Sequence, residues 1–510
     1  MNIAADPVAL QREALLLEHE NKGLLRFIAC GSVDHGKSSL LGRLLFEAKL
    51  VLEDQIETLK KDSGASGENE LDYSLLFDGL AAEREQKITI DLAYRFFSTD
   101  KRKFIVADAP GHEQYTRNMA TGASTADLAL LLVAAPAGLT DQTQRHALIA
   151  ATFGVRHLVV AINKMDLVDF SRSIFDAIEA DFRLFARQLG DISITFIPVS
   201  ARGGDNIVNR SQNMRWYKGK TLLETLETVD ISDTSHADDP FRLAVQWVNR
   251  PNADFRGYSG TIASGEIVPG AEIVVQPSGR RSHVAQIVTA DGPLKIARTD
   301  QAVTLTLTDE IDISRGDLIS GVTKPARVAD RIRTRLFWMD PYPLNRGRRY
   351  YIKVGTASAT AALGSDIELI DLSGHSTHKA SELPDNTFGV CDLVLDRQLA
   401  FDTYENNRRT GALILIDPET NGTVAMGLIE RQQDSGDEEP HKNSGIPLVA
   451  FASRLKATAG QRAIESVLTF MIAWAVTGNP KASVLIAVVD FAARLLIENL
   501  RIHFQTSKTS

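Results

Sequence analysis

The chain has 510 residues, 44% of them hydrophobic, and a formal net charge of −9, which predicts a soluble protein of about three or four domains. The acidic balance argues against broad nucleic-acid binding, which requires a basic surface. Two cysteines, Cys30 and Cys391, lie in separate apolar stretches and predict core residues in a reducing compartment rather than a metal site. The N-terminus lacks a basic segment followed by an apolar one, so we expect a cytoplasmic protein without a secretory signal.

The first elements in chain order are a short acidic amphipathic helix over residues 7–20 and a buried strand over Leu25–Ala29. A glycine-containing run and a helix over Ser39–Leu45 follow. The run fits the phosphate-binding pattern G-x-x-x-x-G-K-[ST]. It reads Gly31-Ser32-Val33-Asp34-His35-Gly36-Lys37-Ser38.

This strand–loop–helix order places backbone N–H groups and a helix N-terminus around an anion. Lys37 would reach the outer phosphates, and the Ser38 hydroxyl would hold Mg²⁺. The sequence therefore predicts binding of a nucleoside triphosphate.

Two further motifs follow buried strands. Asp108-Ala109-Pro110-Gly111 comes after Phe104–Ala107; its Asp108 would support the water shell of Mg²⁺, and Gly111 would donate its N–H to the γ-phosphate. Asn163-Lys164-Met165-Asp166 comes after Leu158–Ile162. A carboxylate accepts from two adjacent N–H groups of guanine, whereas adenine has an acceptor there, so Asp166 predicts GTP rather than ATP. Asn163 would share in reading guanine.

Composition divides the rest of the chain. Residues 22–232 alternate strands and helices, which predicts an α/β P-loop GTPase domain. An acidic linker, 232–239, precedes residues 240–325, where short strands are broken by predicted glycine turns at Gly257, Gly260, Gly265, Gly270, Gly279, Gly292 and Gly316. Residues 330–430 repeat this pattern, and the two stretches predict two β-barrel domains. Residues 431–460 predict a charged, disordered linker. Residues 461–503 predict a hydrophobic helical hairpin, which completes a multidomain α/β plus β fold.

The histidine directly after Gly111, His112, is similar to a feature of the translation-factor class of GTPases. In that class, a histidine at this position helps to place the attacking water. Glu83–Ile90 resembles the first switch of that class, and the resemblance implies that Thr89 closes on Mg²⁺. Ser200-Ala201-Arg202, after Ile194–Val199, resembles its last guanine-contacting loop. The implied catalytic residues are Lys37, Thr89 and His112, and the implied metal ligands are Ser38, Thr89 and Asp108.

Longer runs narrow the resemblance. The segments Phe77–Gln86, Gly111–Gly122, Gln246–Thr261 and Asp396–Tyr404 are similar to the large, GTP-binding subunit family of bacterial sulfate adenylyltransferases, over roughly residues 20–430. The resemblance implies that GTP hydrolysis here drives formation of adenylylsulfate and pyrophosphate from ATP and sulfate. It also implies a smaller ATP-binding catalytic subunit as partner. The cofactors would be GTP and Mg²⁺.

The chain departs from the family pattern in places. His35 stands where the family usually has Asp, Ser39 where it has Thr, Ala109 where it has Thr, and Lys87 where it has Gly. A Cβ at a left-handed position costs about 1 kcal/mol, so Lys87 leaves the course of the first switch open.

Two other functions stay open at this point. One is an elongation-factor-like GTPase that carries aminoacyl-RNA, although the net acidity and the Gln246–Thr261 segment argue against it. The other is a membrane-tethered GTPase, because residues 461–503 resemble a short hydrophobic hairpin domain. This hairpin predicts either shallow membrane association or burial on a partner. No second phosphate loop follows residue 430, so we expect no adenylylsulfate kinase activity.

Overall fold

A computed structural model describes the protein at residues 22–51, 53–65, 71–76, 89, 91–231, 239–252, 255–370 and 377–430. Several predictions from the sequence lie outside these residues. They are the 7–20 helix, the first switch apart from Thr89, Lys87 within it, nearly all of the 232–239 linker, the 431–460 linker and the 461–503 hairpin.

The N-terminal part contains one six-stranded sheet. Its strands are β1 (Leu24–Gly31), β2 (Ala93–Ser98), β3 (Lys103–Asp108), β4 (Leu128–Ala134), β5 (His157–Asn163) and β6 (Ser193–Pro198). Across the sheet their order is β2-β3-β1-β4-β5-β6, with all neighbours parallel except β2 and β3. The three strands predicted before the phosphate loop, Asp108 and Asn163 are confirmed, and a further strand, β6, precedes Ser200. The loops that follow β1, β3, β5 and β6 all leave from carboxyl ends of strands, where ligands of parallel sheets bind.

Helices cover both faces of this sheet. They are α1 (Lys37–Glu47), α2 (Glu53–Ala65), α3 (Thr116–Ser124), α4 (Asp141–Thr152), α5 (Arg172–Ala186) and α6 (Leu222–Thr228), with 3₁₀ turns at Tyr73–Leu76, Glu113–Tyr115 and Met165–Val168. Ile28 and Leu131 enter one hydrophobic cluster, whereas their neighbours Phe27 and Leu130 enter the other, as the alternation of strand side chains requires. Among the described residues, no helix has the length and apolar character that a membrane crossing needs.

The first C-terminal sheet closes into a barrel. Its strands are β7 (Arg242–Ala244), β8 (Trp247–Asn249), β9 (Gly257–Ser264), β11 (Glu272–Gln276), β12 (Arg280–Thr289), β13 (Gly292–Leu294), β15 (Ala302–Leu307) and β16 (Leu318–Gly321), beside a separate pair, β10 (Glu266–Ile267) and β14 (Ala297–Arg298). The pairing of β11 with β12 closes the ring β11-β16-β7-β9-β15-β12. A cluster of Val, Ile and Leu side chains fills it.

The glycines of this barrel follow the prediction only in part. Gly265, Gly270, Gly279, Gly292 and Gly316 have positive φ, as turn glycines do. The interpretation of Gly257 and Gly260 as turn residues is wrong, because both lie inside β9. Each has a neighbour close enough to exclude a Cβ: Thr304 for Gly257 and the carbonyl of Ala244 for Gly260. They serve close packing rather than chain reversal.

The second barrel has longer strands. They are β17 (Arg327–Trp338), β18 (Arg349–Val354), β19 (Ala357–Leu363), β20 (Ile367–Ile370), β21 (Thr377–Ala380), β22 (Phe388–Phe401), β23 (Ala412–Ile416) and β24 (Thr423–Ile429). The ring β17-β24-β23-β18-β19-β22 closes through β17 and β22, so the prediction of two barrels is confirmed. Cys391 is buried in β22 and Cys30 in β1, and both are free thiols. Burial raises the pKa of each thiol to about 12, consistent with inert core residues.

The second barrel also packs against the N-terminal domain. Phe337, Met339 and Phe388 join the hydrophobic cluster on one face of the six-stranded sheet. Arg117 of α3 donates to the Met339 carbonyl at 2.7 Å, and the Tyr404 hydroxyl donates to the Phe153 carbonyl at 2.8 Å. Because α3 begins just after His112, the second barrel contacts the element that follows the predicted catalytic loop.

Candidate functional site

The predicted phosphate loop connects β1 to α1. Asp34 and Gly36 both adopt left-handed backbone conformations, with φ of 61° and 82°, which turn the chain sharply before Lys37. Gly36 is the N-cap of α1 and provides no side-chain acceptor. The N–H groups of the first helical turn therefore remain available to an anion at the helix N-terminus.

Three motifs are in close contact around this loop. A Cβ at Gly36 would lie 2.6 Å from Asn163 Nδ2, and a Cβ at Gly111 would lie 2.9 Å from the Gly31 carbonyl oxygen. Neither position has room for a side chain. The glycines of the sequence motifs thus allow the phosphate loop, the Asp108–Gly111 segment and Asn163 to approach one another.

Lys37 lies at the centre of the part of the site formed by the phosphate loop, Thr89 and the Asp108–Gly111 segment. We call this part the phosphate half. Its ammonium group is 3.2 Å from Asp108 Oδ1 and donates to Thr89 Oγ1 at 3.2 Å and to the Ala109 carbonyl. The Lys37 and Asp108 side chains are only 9% and 2% exposed. Lys37 is therefore ordered by oxygen atoms of two other predicted site segments.

His112 follows this group. Its side chain is half-buried, and its carbonyl accepts from the Tyr115 N–H at 3.0 Å. Ahead of it, Ala109 and Pro110 are buried, and the Ala109 N–H donates to the Ala29 carbonyl at 3.1 Å. Ala109 and Pro110 thus fix the segment to the sheet, while His112 lies beyond its edge.

A cavity of about 180 Å³ occupies the space between these segments. Its walls come from the phosphate loop, from Thr89 and from the second motif, and they are Ser32, Val33, Asp34, Gly36, Lys37, Ser38, Ser39, Ser74, Thr89, Gly111 and His112. Sequence reasoning missed Ser74, which belongs to a short 3₁₀ turn without a recognisable motif. The cavity brings together Lys37, Ser38, Thr89 and His112, whereas the third predicted metal ligand, Asp108, does not line it.

The guanine-type motif is linked to both neighbouring loops. Asn163 is buried; its Nδ2 donates to the His35 carbonyl at 2.8 Å, and its Oδ1 accepts from the Ala201 N–H at 2.9 Å. Lys164 has a left-handed backbone with φ of 61°, and Met165 is buried. Asn163 therefore acts as a bridge between the phosphate loop and the Ser200–Arg202 loop.

Asp166 is positioned from the same loop. Ser200 Oγ donates to Asp166 Oδ1 at 2.7 Å and accepts from the Gly203 N–H at 3.0 Å. Ser200 and Ala201 are buried, whereas Arg202 is exposed. The weak Ser-Ala-Arg pattern thus marks a loop whose contacts orient the carboxylate predicted to read guanine.

His35 points inward from the phosphate loop. It is 5% exposed, and its Nδ1 lies 3.0 Å from the Leu132 carbonyl, to which it donates. Burial lowers the pKa of His35, against the opposing effect of this hydrogen bond. The departure from the family's aspartate therefore places a neutral imidazole beneath the loop.

A second buried imidazole, His146 of α4, was not found from the sequence. Gln142 Nε2 lies 3.0 Å from His146 Nε2 and 3.4 Å from the Gly111 carbonyl. Burial lowers the pKa of His146 to about 3, and the charges of Lys37 and Arg145 act in the same direction. Only its helical position would have signalled it, and an apolar helix face is more often core than site.

The oxygen donors fit a magnesium ion. In the part of the chain that the structure describes, no cluster of three or more His, Cys, Asp and Glu side chains could hold a metal. Mg²⁺ in nucleotide sites needs no such cluster, since it binds one or two carboxylates and the phosphates themselves. Ser38, Thr89 and Asp108 supply hydroxyl and carboxylate oxygens, and two of them already surround the Lys37 ammonium group.

Comparison with known proteins places this geometry in a family. Residues 22–231 match the Elongation factor Tu GTP binding domain, and residues 331–430 match the GTP-eEF1A C-terminal domain-like family. The chain is 48% identical over 451 residues to "Sulfate adenylyltransferase subunit 1" of Cellvibrio japonicus (strain Ueda107), covering 88% of this chain and 95% of the relative. The chain belongs to the sulfate adenylyltransferase subunit 1 family.

Two other relatives extend this result. The subunit 1 protein of Methylorubrum extorquens (strain PA1) is 49% identical over 456 residues, covering 89% of this chain and 97% of the relative. The "Bifunctional enzyme NodQ" of Rhizobium meliloti (strain 1021) is 50% identical over 420 residues, which is 82% of this chain. The chain spans only 65% of the length of that bifunctional relative.

Proposed function

We propose that this chain is the GTP-hydrolysing subunit of a sulfate adenylyltransferase. Hydrolysis of GTP on this subunit would drive the uphill formation of adenylylsulfate and pyrophosphate from ATP and sulfate. The observation that carries the proposal is the identity of 48–50% to subunit 1 proteins over 84–89% of this chain. The cavity between the phosphate loop, Thr89 and His112 supports it.

We infer the roles of the nucleotide-binding residues as follows, and the geometry of the site supports them. The free N–H groups at the start of α1 and the Lys37 ammonium group would bind the outer phosphates. Lys37 would then exchange its contact with Asp108 for phosphate oxygens. On the base side, Asp166, oriented by Ser200, would accept from the two N–H groups on the guanine edge, and Asn163 would hold the two loops together.

Hydrolysis in this class depends on positioning and on charge stabilisation. The Gly111 N–H would bind the γ-phosphate, and His112 would orient the attacking water. Ser38, Thr89 and, through the water shell, Asp108 would hold Mg²⁺, which would supply positive charge beside the phosphates. Thr89, the one described residue of the predicted first switch, contacts Lys37, which also lies 3.2 Å from Asp108.

The adenylyl transfer itself would occur on a smaller, ATP-binding partner subunit. The four motifs found in this chain account for one nucleotide, and all belong to the GTP site. Division of labour between two subunits would therefore require that GTP hydrolysis here change the state of the partner. The second barrel, which packs against α3 beside the His112 loop, provides a physical connection between the hydrolysis site and the rest of the chain.

The test is co-expression of the full chain with the small ATP-binding subunit, followed by measurement of adenylylsulfate formation. We expect formation that depends on GTP and is not supported by GDP or a non-hydrolysable GTP analogue. Adenylylsulfate formation that is indifferent to GTP would contradict the proposal. Copurification with RNA instead of a protein partner would favour the elongation-factor-like alternative. This alternative is tested because both domain families matched by the chain take their names from elongation factors.

The localisation proposal concerns residues 461–503, outside the described part of the chain. In the sequence, Asp490, Arg494 and Glu498 recur every four residues beside Leu and Val positions. A charged stripe next to an apolar one favours a helix at an interface over one that crosses the bilayer centre. We propose shallow membrane attachment or burial on a partner, with the GTPase part in the cytoplasm. Extraction by carbonate at high pH distinguishes peripheral attachment from deep insertion.

A further inference from the structure

One arginine outside the four motifs contacts the loop that orients Asp166. Arg43 lies on α1, the helix that begins at the phosphate loop. Its Nη1 donates to the Arg202 carbonyl at 3.0 Å, and its Nη2 lies 3.4 Å from the Gly203 carbonyl. The same guanidinium group thus reaches two successive carbonyls at the end of the Ser200–Arg202 loop.

The guanidinium group is fixed from two other sides. Arg43 Nε donates to Glu47 Oε1 at 2.7 Å, and the guanidinium carbon lies 4.8 Å from the centre of the Tyr73 ring. The side chains of Arg43 and Glu47 are 18% and 14% exposed. A planar group with five N–H donors can satisfy a carboxylate, two carbonyls and a ring face together, which a lysine cannot.

The loop is shaped to receive this pair. Gly204 has a left-handed backbone with φ of 80°, and a Cβ there would lie 2.6 Å from Arg43 Nη2 and closer still to Glu47 Oε1. Glycine at 204 therefore allows the loop to approach α1. From the opposite side, the loop is held by Asn163 through the Ala201 N–H.

We propose that Arg43 is a positioning residue for guanine recognition. By holding the carbonyls of Arg202 and Gly203, Arg43 sets the loop so that Ser200 Oγ orients the Asp166 carboxylate. Because Arg43 lies on the helix that starts at Lys37, the base-reading loop and the phosphate loop share one rigid element. The inference rests on the proposed GTP-binding function and adds a residue that does not line the cavity at the phosphate loop.

This role predicts a loss of discrimination rather than a loss of phosphate binding. The contacts of Arg43 with the two carbonyls lie at exposed positions, so water can replace them without a large cost in stability. The geometry of Asp166 toward the two N–H groups of guanine would relax instead. Inosine triphosphate lacks one of these groups, so the ratio of GTP affinity to inosine triphosphate affinity reports on the geometry directly.

The experiment measures the affinities of the full chain for GTP, inosine triphosphate and inorganic tripolyphosphate. For Arg43→Ala we expect the ratio of GTP to inosine triphosphate affinity to fall by roughly five- to tenfold, in line with misaligned hydrogen bonds to a charged group. The affinity for tripolyphosphate should change by less than about twofold, since the phosphate contacts are intact. Arg43→Lys keeps the charge without the fork and should give an intermediate fall.

Arg183→Ala is the matched control. Arg183 donates to Glu179 Oε1 at 2.8 Å within α5, and its guanidinium carbon lies 4.8 Å from the centre of the Phe196 ring. Arg183→Ala therefore removes an ion pair and a ring contact, as Arg43→Ala does, but it leaves the contacts with the Arg202 and Gly203 carbonyls in place. We expect its nucleotide ratio to be unchanged.

Equal ratios for wild type and Arg43→Ala would overturn the inference, as would equal falls in Arg43→Ala and Arg183→Ala. If Arg43→Ala does not fold, Arg43→Lys decides: an unchanged ratio overturns the inference, and a fall supports it. Asp166→Asn separates this failure from failure of the proposed function. A shift of Asp166→Asn toward xanthosine triphosphate with no effect of Arg43 removes only the inference. No GTP binding by the wild type removes the proposed function.

Discussion

The base half of the site, which comprises Asn163, Asp166 and the Ser200–Arg202 loop, and the phosphate half are held in different ways. In the base half, Asn163 and Ser200 fix their loops through side-chain hydrogen bonds to backbone groups and to Asp166. In the phosphate half, Lys37 is bound to Asp108 and Thr89, which are groups that the proposed function gives to Mg²⁺. The base half is therefore preorganised, whereas the proposed function requires the phosphate half to exchange partners when a nucleotide binds.

The largest expected effect is in the phosphate half. Lys37→Met should weaken GTP binding by about 3–5 kcal/mol, because a buried charged contact is removed. It should also lower the melting temperature of the nucleotide-free protein, since Asp108 would be left buried without its cation. Equilibrium binding and thermal unfolding measure the two effects.

Lys101→Met is the control for this change. Lys101 also forms an ion pair, with Glu227 at 2.7 Å, but its side chain is 65% exposed. We expect no measurable change in GTP affinity for Lys101→Met. A Lys37→Met variant as stable as wild type would show that the Lys37–Asp108 contact does not hold the empty phosphate half together.

In the base half, Asp166→Asn replaces an acceptor oxygen with a donor that faces the N–H groups of guanine. We expect GTP affinity to fall by about 2–4 kcal/mol, because buried donors are left unmatched. Xanthosine triphosphate, which has a carbonyl at that edge, should bind the variant better than GTP does. Asp169→Asn makes the same chemical change at an exposed residue nearby and should alter neither affinity. A variant at 166 that still prefers GTP would refute the guanine assignment.

The third prediction separates binding from catalysis. His112→Ala should leave GTP affinity nearly intact and lower hydrolysis by roughly 10²-fold or more, because a group that places water is lost. GTP-driven adenylylsulfate formation should fall with it. His283→Ala, at an exposed position on the first barrel, should change neither rate. Normal hydrolysis by a folded His112→Ala protein would exclude His112 from the mechanism.

Much of the site could be predicted because its chemical groups lie in short sequence motifs. The apolar runs before Gly31, Asp108 and Asn163 predicted the strands that lead into three of the loops, and parallel strands end at one edge of the sheet. The contacts of Ser74 and Arg43 could not be predicted, because they join segments far apart in the chain through ordinary residue types.

The same limit applies to other residues. Gly257 and Gly260 lie inside a strand. The prediction that they are turn residues is wrong because close packing and chain reversal both require glycine, and a sequence does not distinguish the two. The roles assigned to Thr89 and His112 stay predictions, although the cavity brings both residues to one place. Buried polar positions such as His146 look, in sequence, like an interrupted apolar face.

The smallest expected effect depends on pH and concerns the floor of the phosphate half. His146 is fully buried, and burial lowers its pKa to about 3, below the value near 6.5 expected in the unfolded chain. Between these values the unfolded state binds the proton more readily, so stability rises with pH through this window and is lost as pH falls below about 6.5. At pH 5 the loss in the free energy of unfolding should be of order 1–2 kcal/mol relative to pH 7.5.

His146→Gln should reduce this loss, with a remainder from His35, whose pKa is also lowered by burial. Urea unfolding at the two pH values measures the effect, with exposed His378→Gln as the control. An equal pH dependence in wild type and His146→Gln would mean that His146 does not contribute to it.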